Sequence, residues 1–199
     1  MGLTSRRQAR GERRVAQLLD AAADVFAESG YEATTTNAIA ARAGASPGTL
    51  YQFFPNKEAM ADALAERYLR QLGEIFAPDI SQLSAPALAD HLVDPLMEFS
   101  IANPGFMALF VGPAAPSKLA PSAQYVFKAV LAQVGELLES FAPQVPGAQR
   151  ARCALVTVQV IKGLLPLALA TSGAERTAMI GELKQLMAAY LGSLRQQTA

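Results

Sequence analysis

The stretch Thr34–Glu58, TTTNAIAARAGASPGTLYQFFPNKE, constrains this chain more than any other. It places two short helices either side of a tight turn. Thr35 or Thr36 can cap the first, because a short side-chain oxygen accepts a helix-start N–H that has no intrahelical partner. That helix runs on through AIAARA and stops near Gly44, which can take the positive φ common at helix exits. Ser46 caps a second helix, predicted over Pro47 to Phe53 or Phe54. Pro47 suits its first position, where a missing N–H costs nothing and φ is already helical. Pro55 ends it, since proline disfavours helix at the preceding residue.

Two helices joined by a Gly-containing turn are the geometry of a helix-turn-helix, whose second helix can enter the DNA major groove. Ile39, Ala40, Ala43, Leu50 and Phe54 fall at helical spacings and can face inward. Ser46, Gly48, Thr49, Tyr51 and Gln52 are left for the other face. Short polar groups let a helix of roughly 10–12 Å diameter sit deep in a groove roughly 12 Å wide.

The run ATTTNAIAARAGASPGTLYQFFPNKEAM resembles the DNA-binding signature of the TetR family of bacterial transcriptional regulators. The matching residues are Thr34, Thr35, Ile39, Ala40, Ala43, Gly44, Ser46, Gly48, Thr49, Leu50, Tyr51, Phe54, Lys57 and Glu58. The likeness is dense to Glu58 and looser back to about Arg13 and forward to about Arg70. Phe53 stands where the family often has His or Tyr, and a phenyl ring cannot hydrogen-bond a phosphate. The resemblance implies an all-α chain: a flexible basic tail over 1–10, a helix-turn-helix domain over 11–71 (the motif itself at about 35–54), and a ligand-binding and dimerisation domain over 72–199. The exposed side of the second helix offers Ser46, Pro47, Thr49 and Gln52 for base contacts, with Gly48 allowing close approach. Tyr51 and Lys57 would meet phosphate, as would the start of the first helix at Thr35, Thr36 and Asn37. Gln pairs bidentately with adenine, and the Pro47 ring or Thr49 methyl can pack on a thymine methyl.

Around this motif the pattern is helical. Val15, Leu18, Leu19, Ala22 and Phe26 make one apolar stripe from about Arg13 to Ser29, with Gly30 as the exit. Asn56 can cap a helix over Lys57–Phe76, and Ser84 another that Pro95 should kink or split. Segments 77–86 and 112–121 read as loops. Long helices are predicted at about 122–141, 149–171 and 175–195. The helix at 149–171 is apolar on most sides and therefore needs cover on most sides. Burial within its own chain is one answer. The resemblance supplies another, a homodimer in which the last two helices pair with their copies and Gly163 permits close approach. Met97, Phe99, Phe106, Met107, Phe110, Tyr125 and Phe127 are concentrated mid-chain and suit an apolar effector pocket, although such residues are often plain core.

Composition narrows the function. Net charge is zero, so no general basic coat exists, yet Arg6, Arg7, Arg10, Arg13 and Arg14 face only Glu12 between Met1 and Val15. Such an excess suits a phosphate backbone or a solvated tail equally. The start lacks an apolar leader. Lys162, Gln159 and Pro166 argue against a membrane span at 153–171 and for a buried helix. His91 and Cys153 are each the only one of their kind, which leaves no metal site, and no catalytic constellation is visible. No cofactor is expected. The sequence thus predicts a cytoplasmic, homodimeric, ligand-responsive DNA-binding regulator acting on a double-stranded operator, a repressor released by a small apolar effector. A small-molecule binding protein without DNA activity and an activator are the rival readings.

Overall fold

The first helix, α1, runs from Leu3 to Ala33, well before the Arg13 start that apolar periodicity predicts. The tail expected over residues 1–10 is, from Leu3 onward, the opening of this helix. Arg, Gln, Ala and Glu are strong helix formers, and no proline interrupts them. Such a run carries no apolar period, so the pattern does not register it. Arg13 Nε donates back to the Ala9 carbonyl oxygen at 3.1 Å. Gly30 breaks the helix with φ 73° and ψ 163°, a conformation open to glycine and costly for other residues. The structure, a computed structural model, describes residues 3–76, 80–111 and 119–196, and every element among them is helical.

Helix α2 (Thr36–Arg42) and helix α3 (Pro47–Phe53) follow as the caps dictate. Thr35 Oγ1 accepts from the Ala38 N–H at 3.1 Å, and Ser46 Oγ from the Thr49 N–H at 3.1 Å. Gly44 has φ 58° in the turn between them. Asn56 Oδ1 accepts from the Ala59 N–H at 2.8 Å and opens α4 (Lys57–Ile75). The remaining helices are α5 (Ala85–Ala102), α6 (Pro104–Phe106), α7 (Ala120–Phe141), α8 (Gly147–Ala170) and α9 (Gly173–Gln196). Helix α6 passes into one π-helical turn, Met107–Val111. Pro95 lies inside α5, but the helix is not split there. The loops read at 77–86 and 112–121 fall partly outside the described residues.

Two compact units result. The first comprises Met1–Tyr68 and Asn103–Ala123, the second Leu69–Ala102 and Gln124–Ala199. The division falls inside α4. Asn103–Ala123 joins the first unit rather than the second, because the α6 segment packs on α1. Phe106 and Phe110 place their rings 5.5 and 6.3 Å from that of Tyr68. Leu18, Ala22 and Phe26 of α1, Ile39 of α2, Leu50 of α3 and Leu64 of α4 are fully buried and form the centre of this unit. That is the three-helix core the apolar stripes predict, with α4 closing it.

In the second unit α9 packs along α5, and Lys184 Nζ reaches Asp94 at 2.6 Å and Asp90 at 3.0 Å. Arg195 ties the last turn of α9 to the carbonyl oxygens of Phe141, Leu83 and Ser81 at 2.9–3.0 Å. Helix α8 departs from the expected buried helix. Leu155, Val156 and Leu167 stay 40–54% exposed, and Arg152, Gln159, Gly163 and Ala170 are exposed with them. Arg152, Val156, Gln159, Gly163, Leu167 and Ala170 follow one another by three or four residues, hence along one stripe. A β-carbon added at Gly163 would meet nothing within 4 Å.

Candidate nucleic-acid interface

The outer face of α3 forms as its sequence dictates. Leu50 is its fully buried anchor and Phe54, just past its end, is buried as well. Ser46, Pro47, Gly48, Tyr51 and Gln52 are exposed, and Thr49 is half-buried. Ser46 Oγ and Thr49 Oγ1 lie 2.9 Å apart, so the two hydroxyls fix each other's rotamers. Tyr51, 51% exposed, shares a 2.8 Å hydrogen bond between its hydroxyl and Thr36 Oγ1. That bond crosses from the middle of α3 to the first turn of α2. Gln52 has no hydrogen bond among the described residues, so its amide is available. Asn37 is exposed beside Thr36, whereas the Thr35 oxygen is engaged in its cap. Phe53 is 37% exposed at the edge of the face.

The angle between α1 and α2 is held by charge. Arg42 donates to both carboxylate oxygens of Glu28, at 2.9 and 2.5 Å, and lies 3.8 Å from Asp24. All three side chains are well exposed, and such pairs add little stability. Their bidentate geometry serves mainly to orient α2.

Lys57 serves the scaffold rather than the open face. Its ammonium donates to the carbonyl oxygens of Tyr31 at 2.8 Å, Glu32 at 3.2 Å and Thr34 at 3.2 Å. It also lies 4.3 Å from the centre of the Tyr31 ring. An ammonium has three donors, and all are engaged. The phosphate contact expected of Lys57 therefore has no free donor behind it. Burial first, and then the charge of Glu58, raise the Tyr31 hydroxyl to about 12, so the ring stays neutral beneath the cation. Thr34 completes this closure: its hydroxyl donates to Gly30 O at 2.7 Å. Together they satisfy carbonyls that the break at Gly30 leaves without helical partners. Lys57→Met is expected to cost about 1.5–3 kcal/mol, the range for hydrogen bonds to a charged group. Urea unfolding followed by circular dichroism measures that loss. The salt dependence of DNA binding should stay the same, whereas loss of a phosphate contact from each chain of a dimer would lower its slope by about 1.8.

The seven apolar residues expected to line an effector pocket do not share one unit. Phe106, Met107 and Phe110 belong to the first, where Phe106 and Phe110 form the aromatic cluster on Tyr68. Met97 and Phe99 are buried in the second. Tyr125 is 49% exposed there, and Phe127 is half-buried with the Lys162 ammonium 5.6 Å above its ring. The second unit holds a different feature that apolar spacing does not reveal. Gln71 Oε1, His91 Nε2, Ser100 Oγ, Gln133 Oε1 and Thr157 Oγ1 are buried with no hydrogen-bond partner among the described residues. Buried polar atoms are nearly always paired, so these five stand out in an otherwise apolar interior. Gln133 and His91 lie near the end of α4 and the residue just past it. The Gln133 amide would stand 3.1 Å from a β-carbon at Gly73, and the His91 ring lies 6.5 Å from that of Phe76.

Two known families match successive parts of the chain. Residues 18–64 match the family described as bacterial regulatory proteins, tetR family, and residues 84–191 match the tetracyclin repressor-like C-terminal domain. The second match alone spans more than half the chain. The chain belongs to the TetR family. Among solved TetR structures, a TetR-family transcriptional regulator from Streptomyces coelicolor is 31% identical, over 91% of this chain and 99% of that one, with a TM-score of 0.66. The HTH-type transcriptional repressor KstR2 of Rhodococcus jostii is 37% identical over 95 residues, 47% of each protein. The fatty acid metabolism regulator protein of Bacillus subtilis is 38% identical over 66 residues, 33% of this chain and 34% of that one. The chain thus spans less than half the length of these two curated relatives. TetR proteins form a class of transcriptional regulators, and the α3 face is where this member carries the family signature.

Proposed function

We propose that this chain is a non-enzymatic, homodimeric repressor that binds a double-stranded operator in the cytoplasm and releases it when an effector enters the second unit. The observation that carries the reading is the outward α3 face, with an uncommitted Gln52 amide flanked by Thr49 and Tyr51 on a fully buried Leu50 anchor. Ser46, Pro47, Thr49 and Gln52 read base edges, Gly48 lets the backbone approach, and Tyr51 with Thr36 and Asn37 meets phosphate. The exposed stripe of α8, with exposed Leu186 on α9, supports pairing of the last two helices with their copies. Two copies then present α3 to successive major grooves about 34–36 Å apart. The effector is an apolar molecule that also hydrogen-bonds, given the unpartnered polar atoms of the second unit. It acts only through different affinities for the two dimer geometries.

Selection of bound duplexes from a random pool tests this directly. Recovered sites should be twofold symmetric. Gln52→Ala should relax preference at one base pair, a loss of about 1–3 kcal/mol of discrimination. Tyr51→Ala should weaken every site alike. A pool with no enriched sequence would defeat the proposal.

A further inference from the structure

The opening of α1 carries a charge pattern that the α3 face does not use. Arg10, Arg13, Gln17, Asp20, Asp24 and Glu28 succeed one another by three or four residues, which sets them on one ridge of the helix. The acidic half of that ridge is neutralised from within the first unit. Asp20 binds Arg67 at 2.5 Å, and Asp24 and Glu28 bind Arg42. The basic half has no acidic partner among the described residues. Arg10 and Arg13 are exposed, and Arg14 is half-buried beside them. Arg13 engages only its Nε, which leaves its terminal amino groups free. The first core residue of α1 is Leu18, so Arg14 and Arg10 stand about 6 and 12 Å further along the axis. The same backbone helix carries Arg6 and Arg7 one turn earlier.

With no acid in the first turn and arginines two to three turns further in, this end of α1 is net positive. Helix N-termini are electropositive and favour anions, and no acidic residue occupies the first turn of α1. Arginines and helix terminus therefore share one requirement, a run of negative charge. Guanidinium groups meet phosphate oxygens bidentately, and the arginines recur about every 5–6 Å along the ridge. A phosphate backbone is the polyanion within reach, because the ridge lies on the helix whose other end supports α2 and α3.

We propose that α1 is a second DNA-contacting element, a rigid arginine spur that grips phosphates outside the groove read by α3. This rests on the regulator reading above. It adds affinity and salt sensitivity without adding base preference.

The test uses the full chain and a labelled duplex of about 30 base pairs recovered from the selection, which spans both half-sites. Binding is followed by fluorescence anisotropy between about 50 and 200 mM salt. Replacing Arg10, Arg13 and Arg14 together by alanine removes three arginines from each protomer of the dimer and should lower the salt slope by about 5.4, or about 0.9 per phosphate contact. Across that fourfold salt range the wild type should then lose about 1,800-fold more affinity than the variant. Replacing the same three by lysine should keep most of the slope, and the selected sequence should not change for either variant. Circular dichroism checks that all three proteins are equally helical. A wild-type chain that binds while the alanine variant shows the same slope overturns the spur, and is the result expected if these arginines serve an anionic membrane or an acidic protein instead. A wild-type chain that holds no duplex removes the regulator reading and the spur with it.

Discussion

Phe26→Ala is expected to cost about 3–5 kcal/mol of stability, the usual loss when a fully buried phenyl ring is cut back to a methyl group. Phe26 is 0% exposed, and its ring lies 5.5 Å from that of Tyr31. It sits on α1 in the core that α2 and α3 share. The cavity would open where Ile39 and Leu50, the buried anchors of α2 and α3, are also found. A whole domain is stable by only about 5–15 kcal/mol, so this loss would leave the first unit marginal. Urea unfolding at fixed protein concentration should show a lower midpoint with an unchanged slope for the affected transition. DNA binding should fall with unfolding and recover on cooling toward the temperature of maximum stability, because Phe26 is not itself part of the exposed face. A loss below about 1 kcal/mol would mean that the ring is not tightly packed.

Gly105→Ala is the second large effect, and two terms compete in it. Alanine in a helical position normally gains about 0.5–1 kcal/mol over glycine. A β-carbon at position 105 would stand 2.9 Å from the Ala23 carbonyl oxygen, 3.1 Å from Ala23 Cα and 3.0 Å from Tyr68 Oη. Two of those atoms belong to the backbone of α1 and cannot swing aside as a side-chain tip can. Overpacking of this kind typically costs about 1–3 kcal/mol, which outweighs the helical gain. The net result should be a protein less stable by about 1–2 kcal/mol, and Gly105→Val should be worse. Thermal unfolding of both variants checks the order. A stabilised Gly105→Ala would show that α1 moves away from α6 at little cost.

The helix-turn-helix was legible because its limits are written in local chemistry. Thr35, Ser46 and Asn56 cap, Pro47 starts, and Gly44 turns; each acts within three residues of its own position. Longer reach defeats that kind of reading. Lys57 has the spacing of an exposed lysine, yet its three partners lie 23–26 residues earlier on the backbone. No side-chain pattern announces carbonyl oxygens. Asn103–Ala123 reads as part of the apolar middle of the chain, but Gly105 admits α1 at close range and brings Phe106 and Phe110 onto Tyr68. The opening of α1 was missed for the opposite reason, since it is a helix without an apolar face. Apolar side chains marked a candidate pocket by composition. The unpartnered Gln133, His91 and Thr157 atoms, on α7, α5 and α8, emerge only once the helices are packed.

The flank of α8 that holds Val156, Gly163 and Leu167 has a consequence for handling the protein. Hydrocarbon left wet on a lone chain makes dilution act like a mild denaturant. In the proposed homodimer, assembly supplies part of the folding free energy by mass action. The melting temperature should therefore climb as the solution is concentrated, and fall again once dilution takes the two copies apart.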